Sequence, residues 1–295
     1  KTSEDFGDQG EPPIQPELFD HLTTRFVESG WDVKALMRYM VSSETYQQSS
    51  RATPEQYLAD PDNRLLARGS RYRFDAEVIR DQVLSVCGLL NTKLYGKSVK
   101  TPQPDGLWKI VAMPSSYPNV FKPDAGAGVY RRSVYSFWKR GLPPPQMTIF
   151  DAPTRESCVA RRERTNTPLQ ALVLMNEENY FAAAMHFAGV LTSRAELSDR
   201  DKIDWAYESI TSQALDDADR EQLLDGLSEF RTLYVATPDA ATQMIEMVRA
   251  AGGSGTAAVA DPVAKHSVSD GRAELAAWTM LVHSLLNLDA VRNRE

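Results

Sequence analysis

The sequence predicts a mainly α protein, an antiparallel helical bundle with a long proline-rich irregular segment and a short β element. Three observations carry this expectation. From Thr167 onward, nearly every segment places apolar residues at helical spacing behind a capping residue. Between Asn91 and Gly128 that periodicity vanishes, while Pro102, Pro104, Pro114, Pro118 and Pro123 accumulate. Hydrophobic residues at 42% and charged residues at 25% are the composition of a chain able to build a packed core.

The elements follow in order. Gly10-Glu11-Pro12-Pro13-Ile14-Gln15-Pro16 is an extended lead-in. Leu18, Leu22 and Phe26 then recur at helical spacing and Gly30 supplies a stop, after which Asp32 caps a helix carrying Val33, Leu36, Met37 and Met40. The two read as a helical hairpin. Asp60-Pro61 is a further helix-start signal, with proline at the first helical position. A helix from about Asp75 to Leu90 has Asp75 as N-cap, Glu77 at its positive end and a buried stripe of Val78, Ile79, Val83, Val86 and Leu90. In the segment from Tyr130 to Arg140, Tyr130, Val134, Phe137 and Trp138 would share a helix face. Its aromatic and β-branched density nevertheless favours a strand, ended by Pro143-Pro144-Pro145.

Thr167-Pro168-Leu169-Gln170 combines an N-cap, a proline at N1 and a glutamine at N3, the pattern of a capping box. Ser198 and Asp201 repeat it ahead of Ile203, Tyr207 and Ile210. Asp217 or Asp219 opens a helix with Leu223, Leu224, Leu227, Phe230 and Leu233, and Thr237-Pro238 opens another. Gly252-Gly253-Ser254-Gly255 through Pro262 reads as a flexible connector, and a last helix from about Asp270 carries Leu275, Trp278, Leu281, Val282 and Leu285. The expected organisation is one domain over 1–295. Residues 1–166 form the hairpin and the irregular proline-rich half, and 167–295 the bundle half, with its connector near 252–265.

Charge and composition exclude several function classes. A net charge of −7 argues against a general nucleic-acid-binding surface, which needs clustered basic residues against phosphates. The longest apolar runs fall far short of the ~20 residues that span a bilayer. Cys87 and Cys158 are the two cysteines; they read as idle thiols ahead of a single disulfide, and neither belongs to a CxxC pair or a haem-attachment motif. His21, His186, His266 and His283 form no local ligand pair, so structural roles are their default and no metal is expected. There is no HExxH, no phosphate-binding GxxxxGK, and Gly126-Ala127-Gly128 lacks the third glycine of a dinucleotide loop.

Two constellations remain as candidate sites. Asp151, Arg155, Arg161, Arg162, Arg164, Thr165, Asn166 and Thr167 place four arginines ahead of a well-capped helix N-terminus, where free N–H groups and arginine forks could hold an anion. The competing expectation, and the favoured one, is an ion-pair network in which Asp151, Glu156 and Glu163 neutralise the arginines. Trp108, Tyr117, Tyr130 and Trp138 are the candidate aromatic platform for stacking on a sugar, against the default of lids over a core.

Several stretches also resemble one known family: Asp5-Phe6-Gly7 with Gly10-Glu11-Pro12-Pro13, Phe26-Val27-Glu28-Ser29-Gly30-Trp31-Asp32-Val33-Lys34, and Asp62-Asn63-Arg64-Leu65-Leu66-Ala67-Arg68. So do Tyr130-Arg131-Arg132-Ser133, Phe137-Trp138-Lys139-Arg140, and the run from Arg162 to Leu172. The chain resembles the planctomycete-specific C-terminal domain of unknown function that accompanies planctomycete-type cytochrome c domains in large exported proteins. The likeness is dense from Thr2 to about Asn179, returns near Leu286-Asn287-Leu288-Asp289, and between about Thr192 and Lys265 rests on helical character. The resemblance implies an extracytoplasmic setting, a chain that begins inside the family's domain, and haem on another domain of the polypeptide rather than here. It assigns no catalytic residue. The expected function is a non-catalytic interaction or scaffold domain whose partners are other domains of the same polypeptide, including a cytochrome c domain. The alternative is an enzyme or binding module acting on an extracellular polymer such as a polysaccharide.

Overall fold

The computed structural model describes residues 7–104, 106–111, 113–115, 118–251 and 269–294. The described residues are 57% helical and contain one two-stranded sheet, so the mainly α expectation holds. It divides into two compact units, one from the described residues of 1–73, 158–162 and 293–295, the other from 74–157 and 163–292.

The smaller unit contains α1 (Pro16–Glu28), α2 (Val33–Val41), α3 (Glu44–Gln47) and α4 (Pro54–Ala59). Its sheet pairs β1 (Tyr72–Arg73) antiparallel with β2 (Asn293–Arg294), Tyr72 opposite Arg294. Gly30 stops α1 as expected: it has φ +72°, and the following Trp31 N–H returns to the Phe26 carbonyl at 3.0 Å. Asp32 caps α2 by accepting from Ala35 N at 2.9 Å. The Asp60-Pro61 start is corrected. Asp60 ends α4, and its carboxylate accepts from Arg64 N and Leu65 N, each at 2.8 Å, so the capping chemistry closes a turn instead of a helix. The real start is Thr53-Pro54-Glu55-Gln56, with both halves of a capping box formed. Gly69 is required where it stands: a Cβ there would meet the Gln48 carbonyl oxygen at 2.4 Å.

The larger unit contains α5 (Ala76–Val86), α6 (Leu107–Val111), α7 (Pro145–Ile149), α8 (Pro168–Asn176), α9 (Glu178–Ser193) and α10 (Asp199–Thr211). It continues with α11 (Asp217–Ala236), α12 (Pro238–Ala251), α13 (Ser269–Leu286) and α14 (Asp289–Arg292). Helix α13 is the axis of the bundle and packs against α9, α11 and α12. All five apolar residues expected inside, Leu275, Trp278, Leu281, Val282 and Leu285, are buried, and so are Ala276, Ala277 and Thr279. A helix buried over most of its surface needs small residues to let its neighbours approach. Helix α9, which packs against it, carries a matching set, Ala183, Ala184 and Ala188, all at 0% exposure. At the rim, Arg231 of α11 reaches Asp199 at the start of α10 (2.6 Å) and Glu274 of α13 (2.5 Å), and Glu274 also accepts from Trp278 Nε1.

The expected capping residues of the bundle are mostly in place. Ser198 and Asp201 form the predicted box, and Pro238 opens α12. The cap of α11 is Asp216, one residue before the predicted Asp217. At α8 the predicted box is present, with Thr167 N–H donating to Gln170 Oε1 at 3.4 Å. The connector expected near 252–265 lies outside the described residues.

Two expectations in the first half need correction. Helix α5 ends at Val86, closed by Gly88 at φ +75°, and its buried positions are Ala76, Ile79, Arg80, Val83 and Leu84, with Val78 46% exposed. An arginine takes the place in the stripe that an apolar residue was expected to fill. The strand expected over 130–140 is instead two 3₁₀ turns, Gly126–Tyr130 and Ser133–Tyr135, with isolated bridges Asn91–Arg131 and Val99–Ser136. The cause is that same arginine. Arg80 donates to the carbonyls of Val129 (2.6 Å) and Arg131 (3.0 Å) and to Ser133 Oγ (3.2 Å), and Asp81 accepts from Ser133 N at 2.7 Å. Backbone groups that a sheet ladder would use are taken by side chains of α5. The buried residues of this segment include the polar Arg131, Ser133 and Ser136, while Val134 is 64% exposed.

Candidate functional site

The arginine segment separates into distinct local arrangements. In the larger unit, Asp151 sits at φ +59° and accepts from both the N–H (2.8 Å) and the hydroxyl (2.9 Å) of Thr165. That hydroxyl in turn accepts from Gln170 Nε2 at 3.1 Å, and Nε2 also donates to the Ile149 carbonyl at 3.0 Å. Gln170 is 1% exposed, so it is the buried pin that ties this loop to the first turn of α8. Arg164 reaches Asp75 at 3.4 Å, across 89 residues of sequence. Arg155 is exposed and lies 4.3 Å over the Trp138 ring, a cation–π contact. Asn166 is exposed and Thr167 half-buried. Arg161 and Arg162 belong to the smaller unit, the first exposed and the second half-buried. Of the carboxylates expected to neutralise the arginines, Glu156 and Glu163 form no ion pair among the described residues. Asp75, at the N-cap position of α5, does that work for Arg164.

The aromatic platform is mostly interior. Trp108 is 5% exposed, stacked on Phe121 at 5.0 Å, with its Nε1–H donating to Gln103 Oε1 at 2.9 Å. Tyr130 is 3% exposed, and burial pushes its phenol upward against the opposing pull of Arg80. Trp138 is half-buried and donates to the Thr154 carbonyl. Tyr117 lies outside the described residues.

Two of the histidines are committed to structure. His186 Nδ1–H donates to the Cys87 carbonyl at 2.7 Å and His283 Nε2–H to the Leu174 carbonyl at 3.0 Å, because a carbonyl can only accept. Burial pushes His283 below its ordinary pKa, partly offset by that bond. His21 meets the Tyr39 hydroxyl at 3.0 Å, and His266 lies outside the described residues. Both cysteines are free: Cys87 is buried, which pushes its thiol up, and Cys158 is exposed. Among the described residues no group of three or more His, Cys, Asp or Glu could hold a metal ion. No helix among them is long and apolar enough to cross a membrane.

Sequence reasoning missed a buried charged cluster around Arg80. Burial presses this guanidinium down, while Tyr180, Asp81 and Glu177 favour its charge. Glu177 caps α9 through Asn179 N (2.9 Å) and Tyr180 N (3.1 Å); burial pushes its carboxyl up, opposed by its bonds to Asn179 and Tyr180 and by Arg80. A second arginine extends the arrangement. Arg131, 8% exposed, donates to the carbonyls of Lys93 (3.0 Å), Tyr95 (2.6 Å) and Lys97 (2.9 Å), with Tyr135 3.6 Å beneath its guanidinium. The pair fixes backbone, and a fixed loop surface is what it can contribute to function. In the smaller unit, a groove of about 280 Å³ is lined by Arg25, Phe26, Glu28, Ser29, Ala35 and Leu36.

Fold and local chemistry together define a helical domain whose polar clusters organise backbone. Residues 1–227 match the family described as PSD1: Protein of unknown function (DUF1553), and the chain belongs to that family. The match runs past the region of dense sequence likeness, through α10 and into α11. No curated protein and no solved structure matches the chain.

Proposed function

We propose that this chain is a non-catalytic interaction domain of an exported, haem-associated multidomain protein. In this reading it docks onto other domains of the same polypeptide, among them a planctomycete-type cytochrome c domain. The observation that supports this reading is the α1–α2 hairpin. It has the amphipathic spacing of a core-forming pair, yet none of its residues is buried. Phe19 (56% exposed), Trp31 (65%), Val33 (60%) and Met37 (54%) stand in solvent beside the groove. Large apolar side chains left exposed on an amphipathic hairpin mark a place where a partner binds.

The test is binding of this chain to the recombinant haem domain of the same polypeptide, with Phe19→Glu/Met37→Glu beside the parent. The double variant should weaken binding by about tenfold or more, the scale expected when central apolar anchors are lost. The amides of α1 and α2 should exchange more slowly in the complex. A variant that binds like the parent, or α1–α2 exchange unaffected by the haem domain, contradicts the proposal.

A further inference from the structure

Residues 91–140 hold nine Lys and Arg against two Asp, a formal charge of +7 in a chain whose total is −7, so the remaining residues carry −14. The fold keeps that segregation. Two hubs gather it, both in the larger unit. At the first, Arg131 draws the carbonyls of Lys93, Tyr95 and Lys97 to one guanidinium. At the second, Lys139 Nζ lies 4.9 Å over Trp108, whose stacking partner Phe121 precedes Lys122, while Lys100 Nζ lies 5.7 Å from Phe137. The Val99–Ser136 bridge joins the two hubs. Lys93, Lys97, Lys109, Lys122 and Arg140 are exposed and have no carboxylate partner among the described residues.

Among the described residues of this segment, one aromatic is largely exposed. Tyr95 is 82% exposed and adopts φ +64°, followed by Gly96 at φ +93°. A left-handed backbone at an aromatic residue is costly and persists where its surroundings enforce it. Here Tyr95 N–H donates to the Tyr135 hydroxyl at 2.8 Å and its carbonyl accepts from Arg131. The backbone is held so that the ring stays in solvent between Lys93 and Lys97.

We propose that this face binds an acidic polysaccharide, with Tyr95 stacked on the apolar face of a sugar ring and the flanking lysines paired with its carboxylates or sulfates. The inference goes beyond the docking reading and does not rest on it. Lysine predominates among the nine cations, six of them, and a lysine is a point charge that tolerates scattered anions without the fork geometry of arginine. A single-stranded nucleic acid would need a series of stacking rings, whereas the neighbouring Tyr135 has its ring against the Arg131 guanidinium and Trp108 is buried.

The whole chain would be titrated with polygalacturonate, dextran sulfate, neutral dextran and poly(dT) at low and high salt. Both acidic polysaccharides should bind, more weakly as salt rises, and neutral dextran should not. Lys93→Glu/Lys97→Glu should weaken binding about tenfold or more and Tyr95→Ala several-fold, while Lys34→Glu on α2 should change it less than about twofold. Melting curves that match the parent verify folding, and Lys97→Ala replaces the double variant if it does not fold. Failure of both acidic polysaccharides to bind at low salt overturns the proposal. So does tighter binding of poly(dT), or a loss in Lys34→Glu equal to that in Lys93→Glu/Lys97→Glu.

Discussion

The bundle around α13 and the loop region of residues 91–140 lie in one compact unit but are held by different physics. Around α13 the partners are apolar and the order comes from excluding water: Leu275, Trp278 and Val282 are 0% exposed. The loop region has few regular backbone partners of its own. Its carbonyls are collected by Arg80 and Arg131, five of them in all, from Val129, Arg131, Lys93, Tyr95 and Lys97. A buried guanidinium can fix an irregular path because its planar donors reach several carbonyls at once, each charged bond being worth about 1.5–3 kcal/mol. The difference teaches that absence of periodicity is not absence of order. It also explains how a cationic surface can be kept in place without a sheet or helix under it.

The largest expected effects come from cutting each support. Arg80→Met leaves two carbonyls and a serine without their donor and Asp81 without its neighbour; it should cost about 3–5 kcal/mol, the range for breaking a buried charged network. Leu281→Ala should cost about 2–5 kcal/mol by opening a cavity beside α13. Urea unfolding of both variants checks the magnitudes. The contrast sharpens if Arg80→Met changes exchange mainly at 129–136, and it breaks if Arg80→Met is as stable as the parent.

A smaller effect should appear with pH, and in the bundle only. The folded pKa of His283 lies below its ordinary value of 6.5, so its neutral form supplies stability that is present above that value and is lost as pH falls through the folded pKa. The parent should lose stability between about pH 7 and pH 5, and His283→Phe should flatten that slope. Equal slopes for parent and variant would remove the buried imidazole from the account.

The bundle was legible because its signals are local. Apolar spacing and capping residues lie within a turn or two of one another, and they placed the starts of α8, α10, α11, α12 and α13 within a few residues. Thr53-Pro54-Glu55-Gln56 carries the same signature as Thr167-Pro168-Leu169-Gln170, so α4 was equally readable. The loop region was not, because its partners are remote. Arg80 lies 49 to 53 residues from the groups it holds, and Arg164 lies 89 from Asp75. A stripe drawn through apolar residues alone also selects Val78 and passes over Arg80. With side chains 42% and 31% exposed, the Arg164–Asp75 pair contributes at most about 1 kcal/mol, less than a buried network would. The basic segment was visible in the residues themselves, but a total charge of −7 conceals a local +7.

Arginine–carbonyl bonds order the cationic loops beyond what the burial of Val99, Trp108, Val129 and Tyr130 supplies. Amide hydrogen exchange of the parent beside Arg131→Lys tests this most directly, since lysine cannot hold three carbonyls with one planar group. In the parent, the amides of Asn91, Tyr95, Val99 and Phe137 should be protected, because each donates within the region. In Arg131→Lys, Tyr95 and Val99 should lose that protection while α9 and α13 keep theirs. The account is contradicted if those amides exchange freely in the parent, or if Arg131→Lys loosens α13 as much as the loops.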